Sequence, residues 1–149
     1  MRPVYILNGP NLNRLGMREP EIYGSVTLAQ IEEGCRKDFP GVDIAFRQTN
    51  SETQLIDWVH EAIDNGAAII INPAAYTFTS IALLDSLKMF TGPIIELHIS
   101  NVHRRESYYH KSYVSLAATA VIAGLGWRGY GVALRAVLDM LAEREAKPA

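Results

Sequence analysis

Residues 67–73 read Ala-Ala-Ile-Ile-Ile-Asn-Pro, and this stretch decides the fold. A fully apolar run that stops abruptly at Asn72-Pro73 predicts a strand over Ala67–Ile71 that is buried on both faces. Strands of this kind belong to parallel sheets, which are covered by helices on both sides. The flanking sequence therefore has to supply covering helices and further parallel strands.

Four more strands and four helices alternate along the chain around this stretch. The strands are predicted at Val4–Leu7, Val42–Phe46, Ile94–Ile99 and Thr119–Ala123. The helices are predicted after the capping sequences Thr27-x-x-Gln30 and Ser51-x-x-Gln54, over Thr79–Phe90 and over Gly131–Glu145. This alternation predicts an α/β fold, namely a doubly wound, flavodoxin-like five-stranded parallel sheet with strand order 2-1-3-4-5.

The composition excludes several classes of protein. The 149 residues predict a single domain over 1–149, and the formal net charge of −2 argues against a strongly basic nucleic-acid-binding protein. No apolar run approaches the ~18 residues of a membrane span, and the segment before the first strand is too short for a signal peptide. Cys35 is the only cysteine, so an internal disulfide is excluded. We expect a soluble, cytoplasmic protein whose 48% hydrophobic residues, high for a small domain, indicate burial in an oligomer.

Polar residues concentrate at the predicted carboxyl ends of the strands, where sheets of this kind bind their ligands. These are Asn8, Asn72 and the stretch 96–101, which reads Glu-Leu-His-Ile-Ser-Asn. Glu96 and His98 lie two apart on a strand and therefore face the same side. A carboxylate beside an imidazole can hold its tautomer and favour its charged form, which suits a general acid or base. A purely structural carboxylate–histidine pair is equally consistent with this spacing.

Residues 9–26 form a long loop without a sustained period, and loops of this length are usually functional. We predict a lid over about 9–25, in which Arg18 and Tyr23 lie between the potential hinges Gly16 and Gly24. A tyrosine with an ordinary pKa near 10 is a poor base at neutral pH, but a nearby guanidinium favours the phenolate. A solvated surface loop is the alternative.

Two further patterns are weak. Residues 124–129 match the glycine spacing of a dinucleotide-binding loop, but the required acidic residue about 20 positions later has no place in a chain of 149 residues. We interpret these glycines as a tight turn between the last strand and the last helix. His98 and His103, with Glu96 nearby, lack the usual spacing of metal ligands, and we predict no metal site.

Three segments together resemble type II 3-dehydroquinate dehydratase. They are residues 8–24, residues 72–80 (Asn-Pro-Ala-Ala-Tyr-Thr-Phe-Thr-Ser) and residues 96–106 (Glu-Leu-His-Ile-Ser-Asn-Val-His-Arg-Arg-Glu). Their order and spacing match the family from Val4 to about Leu141. The resemblance implies a flavodoxin-like fold, trimers assembled into a dodecamer, a small anionic cyclic substrate, and no metal or cofactor. The implied reaction removes water from 3-dehydroquinate through an enolate and gives 3-dehydroshikimate.

The resemblance also implies the groups that move protons. Tyr23 matches the base that takes a proton from the carbon beside the ketone. Arg18 matches the lid arginine that keeps this tyrosine ionised, and Arg105 matches a second cation that serves the same site. His98 matches the general acid that protonates the departing hydroxyl, and Glu96 matches the carboxylate that orients it.

Further matching positions concern the substrate and its enolate. Asn11 matches the residue that holds a water against the enolate oxygen. Asn72 and the backbone N–H groups of Ile99 and Ser100 match the anchor of the substrate carboxylate. Asp85 matches an acidic residue that reaches the site of a neighbouring subunit.

Three positions depart from the family pattern. Phe78 and Tyr109 replace a histidine and an arginine that contact ring hydroxyls, and Ala74 replaces a common glycine, which we take as the smaller change. Each unpaired substrate hydroxyl costs ~1–3 kcal/mol, so the two losses together predict ~30-fold to 10⁴-fold weaker transition-state binding. The Tyr109 hydroxyl or His110 can compensate.

Two alternatives to the implied activity stay open at this point. One is a divergent paralogue that dehydrates another β-hydroxy ketone carboxylate, with a more apolar substrate. The other is a catalytically silent binding or assembly subunit, although the retained proton-transfer residues favour an enzyme.

Overall fold

The computed structural model describes residues 1–17 and 20–147, without the side chains of Ile22 and Tyr23. Five strands span Val4–Asn8 (β1), Ile44–Gln48 (β2), Ala68–Asn72 (β3), Ile94–His98 (β4) and Ala120–Ala123 (β5). They form an all-parallel sheet with the order β2-β1-β3-β4-β5. The predicted fold class and strand order are confirmed.

Five α-helices accompany the sheet and span Pro20–Tyr23 (α1), Leu28–Asp38 (α2), Glu52–Asn65 (α3), Ile81–Leu87 (α4) and Gly129–Ala146 (α5). Helices α2 and α5 cover one face of the sheet, and α3 and α4 cover the other. Within the described part of the chain, none of the helices combines the length and the apolar composition that crossing a membrane requires.

The inner strand β1 shows why this sequence gives two cores. Successive side chains of a strand point to opposite faces. Val4 and Ile6 accordingly pack in the core with α2 and α5, while Tyr5 and Leu7 pack in the core with α3 and α4. All five residues of β1 are buried, as expected for a strand with a helix layer on each side.

The two capping sequences begin helices as predicted, but only one forms a complete capping box. The Thr27 hydroxyl accepts from the Gln30 backbone N–H, and the Gln30 side chain accepts from the Thr27 N–H. The Ser51 hydroxyl accepts from the Gln54 N–H at the start of α3. Helix α3 ends at Asn65, and Gly66 follows as its C-cap.

Several predicted boundaries are displaced. Strand β2 begins at Ile44 because the Val42 N–H donates to the Phe39 carbonyl in a turn after α2. The helix predicted from Thr79 begins only after Ser80, whose hydroxyl caps the Leu83 N–H. It also ends at Leu87, short of the predicted Phe90.

The predicted loop over 9–26 and the last helix also differ in detail. The loop contains a 3-10 helix at Leu12–Arg14 and the single turn of α1, so the description of it as a plain loop is wrong. Helix α5 begins at Gly129, two residues before the predicted start. Gly124 and Gly126, with φ of 93° and 65°, form the turn between β5 and α5 that the glycine pattern predicts.

The carboxyl ends of the strands meet at one edge of the sheet. The strand register aligns Asn8 with Gln48 on one side and with Asn72 on the other. The next residue, Gly9, donates its N–H to the Asn72 carbonyl, and a Cβ there would lie 2.4 Å from the Pro73 oxygen. Only glycine allows this close approach, so the ends of β1 and β3 are held together.

Candidate active site

Glu96 and His98 form a buried pair at the end of β4. The His98 Nε2 lies 2.5 Å from the Glu96 Oε2, and the two residues are 5% and 1% exposed. The structure thus brings these two side chains together as the strand spacing predicts. Their burial makes the interaction stronger than the same contact in water.

Two serines that sequence reasoning missed hold the other carboxylate oxygen. Glu96 Oε1 accepts hydrogen bonds from the Ser112 hydroxyl at 3.0 Å and from the Ser115 hydroxyl at 2.6 Å. Burial alone would raise the pKa of Glu96, but the hydrogen bonds with His98, Ser115 and Ser112 outweigh it and hold that pKa below its usual value. Glu96 is therefore an anion at neutral pH. No periodic pattern links these serines to β4, so the sequence carried no signal for them.

Two aromatic side chains, Phe78 and Tyr109, pack in sequence over His98. The Phe78 ring stacks on His98 with centroids 5.9 Å apart, and Tyr109 meets Phe78 edge-on at 5.3 Å. The Arg105 guanidinium lies over Tyr109, 3.9 Å from the ring centroid. The two positions that depart most from the family pattern are thus in contact with each other, and one of them touches the histidine.

A cavity of about 740 Å³ opens beyond the ends of β4 and β5. Ile99, Ser100 and Arg105, all predicted site residues, line it. Arg104 and Arg128 add two further cations to its wall. The cavity therefore offers a positively charged environment for an anionic molecule.

Asn72 and Asn11 lie at the ends of the neighbouring strands. Asn72 is 5% exposed, and its Oδ1 accepts from the Ala74 N–H at 3.2 Å. Asn11 is exposed, adopts a φ of 71° and donates its backbone N–H to the Asn50 Oδ1 at 3.0 Å. Both asparagines thus follow strands whose ends share one edge with β4.

Six predicted site residues are described but do not line this cavity, namely Asn11, Asn72, Phe78, Glu96, His98 and Tyr109. Three more lie elsewhere or cannot be placed. Asp85 lies on the exposed face of α4 and is not among the residues that line the cavity. Arg18 and the side chain of Tyr23 lie outside the described residues. The backbone of Tyr23 ends α1, and Glu21 of the same turn lines the cavity.

The remaining described residues offer few other ligand sites. Over 1–17 and 20–147, no group of three or more His, Cys, Asp or Glu side chains is arranged to hold a metal ion. A second cavity of about 630 Å³ lies between α2 and α5, has a largely apolar lining, and contains none of the predicted site residues. The arrangement with the clearest chemistry is the buried imidazole–carboxylate pair at the end of β4, because a histidine held by a carboxylate can donate a proton.

Comparison with known proteins gives a consistent picture. The family model "Dehydroquinase class II" matches residues 2–138. A "3-dehydroquinate dehydratase 2" of Agrobacterium fabrum is 56% identical over 137 residues, covering 91% of this chain and 93% of that protein. A "3-dehydroquinate dehydratase" of Methylobacterium radiotolerans is 54% identical over 145 residues, covering 96% and 97%. The crystal structure of a type II dehydroquinase from Propionibacterium acnes superposes with a TM-score of 0.87 at 40% identity, covering 95% and 97%.

Proposed function

The chain belongs to the class II dehydroquinase family, and on that basis we propose that it is a 3-dehydroquinate dehydratase. It eliminates water from 3-dehydroquinate to give 3-dehydroshikimate, and is therefore a hydro-lyase. The observation that carries this proposal is the buried His98–Glu96 pair at the end of β4, directly before Ile99, which lines the arginine-containing cavity. An acid held in this way suits the protonation of a departing hydroxyl on an anionic substrate.

His98 is the general acid of the proposed reaction. Its imidazole protonates the hydroxyl that leaves, and the Glu96 carboxylate orients the ring. The hydrogen bonds from Ser112 and Ser115 support this role, because they keep the carboxylate ionised and fixed. Stacking of Phe78 on the imidazole restricts the ring further.

Tyr23 is the proposed base on the opposite side of the ring. It takes a proton from the carbon beside the ketone, while Arg18 and Arg105 favour its phenolate form. Asn11 holds a water against the oxygen of the resulting enolate, which stabilises the charge that develops there. These roles rest on the family match, since Arg18 and the Tyr23 side chain lie outside the described residues.

The substrate carboxylate binds at the carboxyl edge of the sheet. Asn72 donates from its amide, and Ile99 and Ser100 donate from their backbone N–H groups. This assignment is supported by the position of Ile99 and Ser100 in the cavity wall and by Asn72 at the end of an adjacent strand. The ring lies toward Phe78 and Tyr109, which leaves its hydroxyls with fewer polar partners than the family pattern provides.

The assembly we propose consists of trimers that form a dodecamer, in the cytoplasm. Asp85 then reaches the site of a neighbouring subunit, which is compatible with its exposure on α4. Ile81, the first residue of this helix, and Met89, two residues after its end, are also exposed, at 55% and 54%. Sedimentation equilibrium tests the assembly, because a dodecamer has twelve times the mass of one chain.

The activity is tested by mixing the purified protein with 3-dehydroquinate and following the ultraviolet absorbance of the conjugated enone product. We expect turnover in the ordinary enzymatic range of about 1–10³ s⁻¹. His98→Asn should lower kcat by about 10²-fold to 10⁴-fold, the contribution of a positioned acid. His60→Asn, at an exposed position of α3, is the matched control and should retain wild-type turnover. No turnover by the folded wild-type protein would falsify the proposed activity.

A further inference from the structure

Tyr130 has a buried hydroxyl that the proposed mechanism does not use. It lies in the first turn of α5, is 1% exposed, and packs its ring against Phe46 with centroids 6.1 Å apart. Its hydroxyl does not face solvent but the end of β1. There it donates to the Asn8 Oδ1 at 2.6 Å, which joins two segments 122 residues apart in the chain.

Asn8 is held at both ends of its carboxamide. Besides accepting from Tyr130, it donates its Nδ2 to the Arg47 carbonyl at 3.0 Å, and the whole residue is buried. The Tyr130 hydroxyl has only one proton, which it donates in the hydrogen bond to Asn8. Toward any other neighbour, this hydroxyl can therefore act only as an acceptor.

Asn72 is the neighbour that faces this acceptor. The strand register places Asn72 directly beside Asn8, whose side chain accepts from Tyr130, and the Asn72 side chain lowers the pKa of Tyr130, as a donor directed at the hydroxyl oxygen does. The Asn72 Oδ1 already accepts from the Ala74 N–H, so the group that meets Tyr130 is the Nδ2 amide. An amide Nδ2 has two N–H donors, so one of them can serve Tyr130 while the other serves a ligand at the edge of the sheet.

Tyr130 keeps its proton at neutral pH. Burial raises the pKa of its hydroxyl well above the ordinary value, and the hydrogen bond from Asn72 offsets only part of this rise. Because the hydroxyl stays protonated, Tyr130 remains the donor toward Asn8 and an acceptor toward Asn72 at neutral pH.

We infer that Tyr130 is a positioning residue, whose buried hydroxyl fixes the Asn72 carboxamide so that its second N–H meets the substrate carboxylate. The inference rests on the proposed function, which makes Asn72 part of that anchor. Tyr130 is not a catalytic residue, because it reaches the substrate only through Asn72. This positioning role gives a reason for the burial of Tyr130, which is 122 positions from Asn8 in the chain, at this edge of the sheet.

Tyr130→Phe tests the inference, because it keeps the ring and removes only the hydroxyl. An anchor that binds substrate and transition state equally well affects KM and leaves kcat alone. We expect KM for 3-dehydroquinate to rise about tenfold, the effect of misaligning one hydrogen bond to a charged group, with kcat changed less than about twofold. Tyr5→Phe is the matched control, since Tyr5 is 3% exposed and its hydroxyl donates to Glu61 at 2.7 Å, away from this edge. It should lower stability without changing KM.

A second measurement does not depend on activity. The side-chain amide signals of Asn72 in a ¹H–¹⁵N NMR spectrum, identified by their loss in Asn72→Asp, should shift in Tyr130→Phe and stay in place in Tyr5→Phe. If Tyr130→Phe does not fold, Asn8→Ala removes the acceptor of the same hydroxyl and should give the same changes. The inference is overturned if Tyr130→Phe leaves KM unchanged, lowers kcat alone, or leaves the Asn72 signals in place. It is also overturned if Tyr5→Phe raises KM equally. A wild-type protein that is inactive on 3-dehydroquinate instead refutes the proposed function, and the NMR comparison still decides the role of Tyr130.

Discussion

At position 74, an alanine occupies a backbone conformation that favours glycine. Ala74 has a φ of 52°, in the left-handed region where a Cβ costs roughly 1–2 kcal/mol. The replacement of the family's glycine is therefore more than the minor change that the sequence suggests. The strain persists because the Asn72 side chain holds the Ala74 N–H at 3.2 Å.

Ala74→Gly should consequently stabilise the protein. Relief of the strain exceeds the added entropy of the unfolded chain, and we expect a gain of up to about 1 kcal/mol in the free energy of unfolding, measured in urea. The control is Ala75→Gly, in the same 3-10 helix but with an ordinary negative φ, which should destabilise. Equal effects of the two substitutions would mean that position 74 is not strained.

Ser115 controls the ionisation of Glu96. Its hydroxyl gives the shorter of the two serine hydrogen bonds, at 2.6 Å, and helps to hold the pKa of Glu96 below its usual 4.5. A carboxyl whose folded pKa is lowered adds stability that is fully present above pH 4.5 and is lost as the pH falls through the folded value. Removing the hydroxyl raises the folded pKa and shrinks this contribution.

Ser115→Ala should therefore move the acid limb of the pH profile of kcat/KM to higher pH, because that limb reports ionisations of the free enzyme. The free energy of unfolding should also fall more at pH 7 than at a pH below the folded pKa of Glu96, where the carboxyl is protonated in both proteins. Ser107→Ala, at an exposed serine, should leave the profile unchanged. If the acid limb does not shift in Ser115→Ala, that limb does not report the ionisation of Glu96.

Among the elements, the strands are predictable from the sequence to within two residues, because buried apolar runs bounded by Asn, Gly and Pro leave little freedom. The Glu96–His98 pair follows from the same period of two. The 3-10 helices at Ala74–Phe78 and Ser107–Tyr109 are not predictable, since single turns have no hydrophobic period. Their mutual contact, like the link between Tyr130 and Asn8, is created only by the tertiary fold.

The contact between these two 3-10 helices makes Phe78 and Tyr109 a coupled pair. Their rings meet edge-on at 5.3 Å, so one substitution changes the surroundings of the other. Phe78→His combined with Tyr109→Arg restores the polar pair of the family pattern. We expect the double variant to raise kcat/KM for 3-dehydroquinate by at least about 30-fold, which corresponds to about 1 kcal/mol for each ring hydroxyl.

A double-mutant cycle on steady-state kinetics checks this expectation. Each single variant should recover less than half of the gain in free energy, because the remaining aromatic ring still fills the space of its lost partner. A double variant no faster than wild type would show that the Tyr109 hydroxyl or His110 already supplies the missing contacts.

For the whole molecule, the distribution of charge matters more than its sum. The formal net charge is −2, which by itself repels an anionic substrate weakly. The wall of the cavity nevertheless carries Arg104, Arg105 and Arg128, against Glu21 and Glu106. A cavity of one predominant sign raises the local concentration of an oppositely charged substrate and its rate of association.

Arg104→Gln and Arg135→Gln each remove one positive charge. Comparing them distinguishes the effect of where a charge lies from the effect of the net charge. Arg104 lines the cavity, whereas Arg135 is exposed on α5 and faces Asp139 at 3.8 Å. At low ionic strength, Arg104→Gln should lower kcat/KM several-fold and Arg135→Gln should not. At about 1 M salt, where the Debye length is near 3 Å, the variants and the wild type should converge. An equal loss of kcat/KM in both variants would mean that only the net charge matters. A loss of kcat/KM in Arg104→Gln that persists at high salt would place Arg104 in direct contact with the substrate.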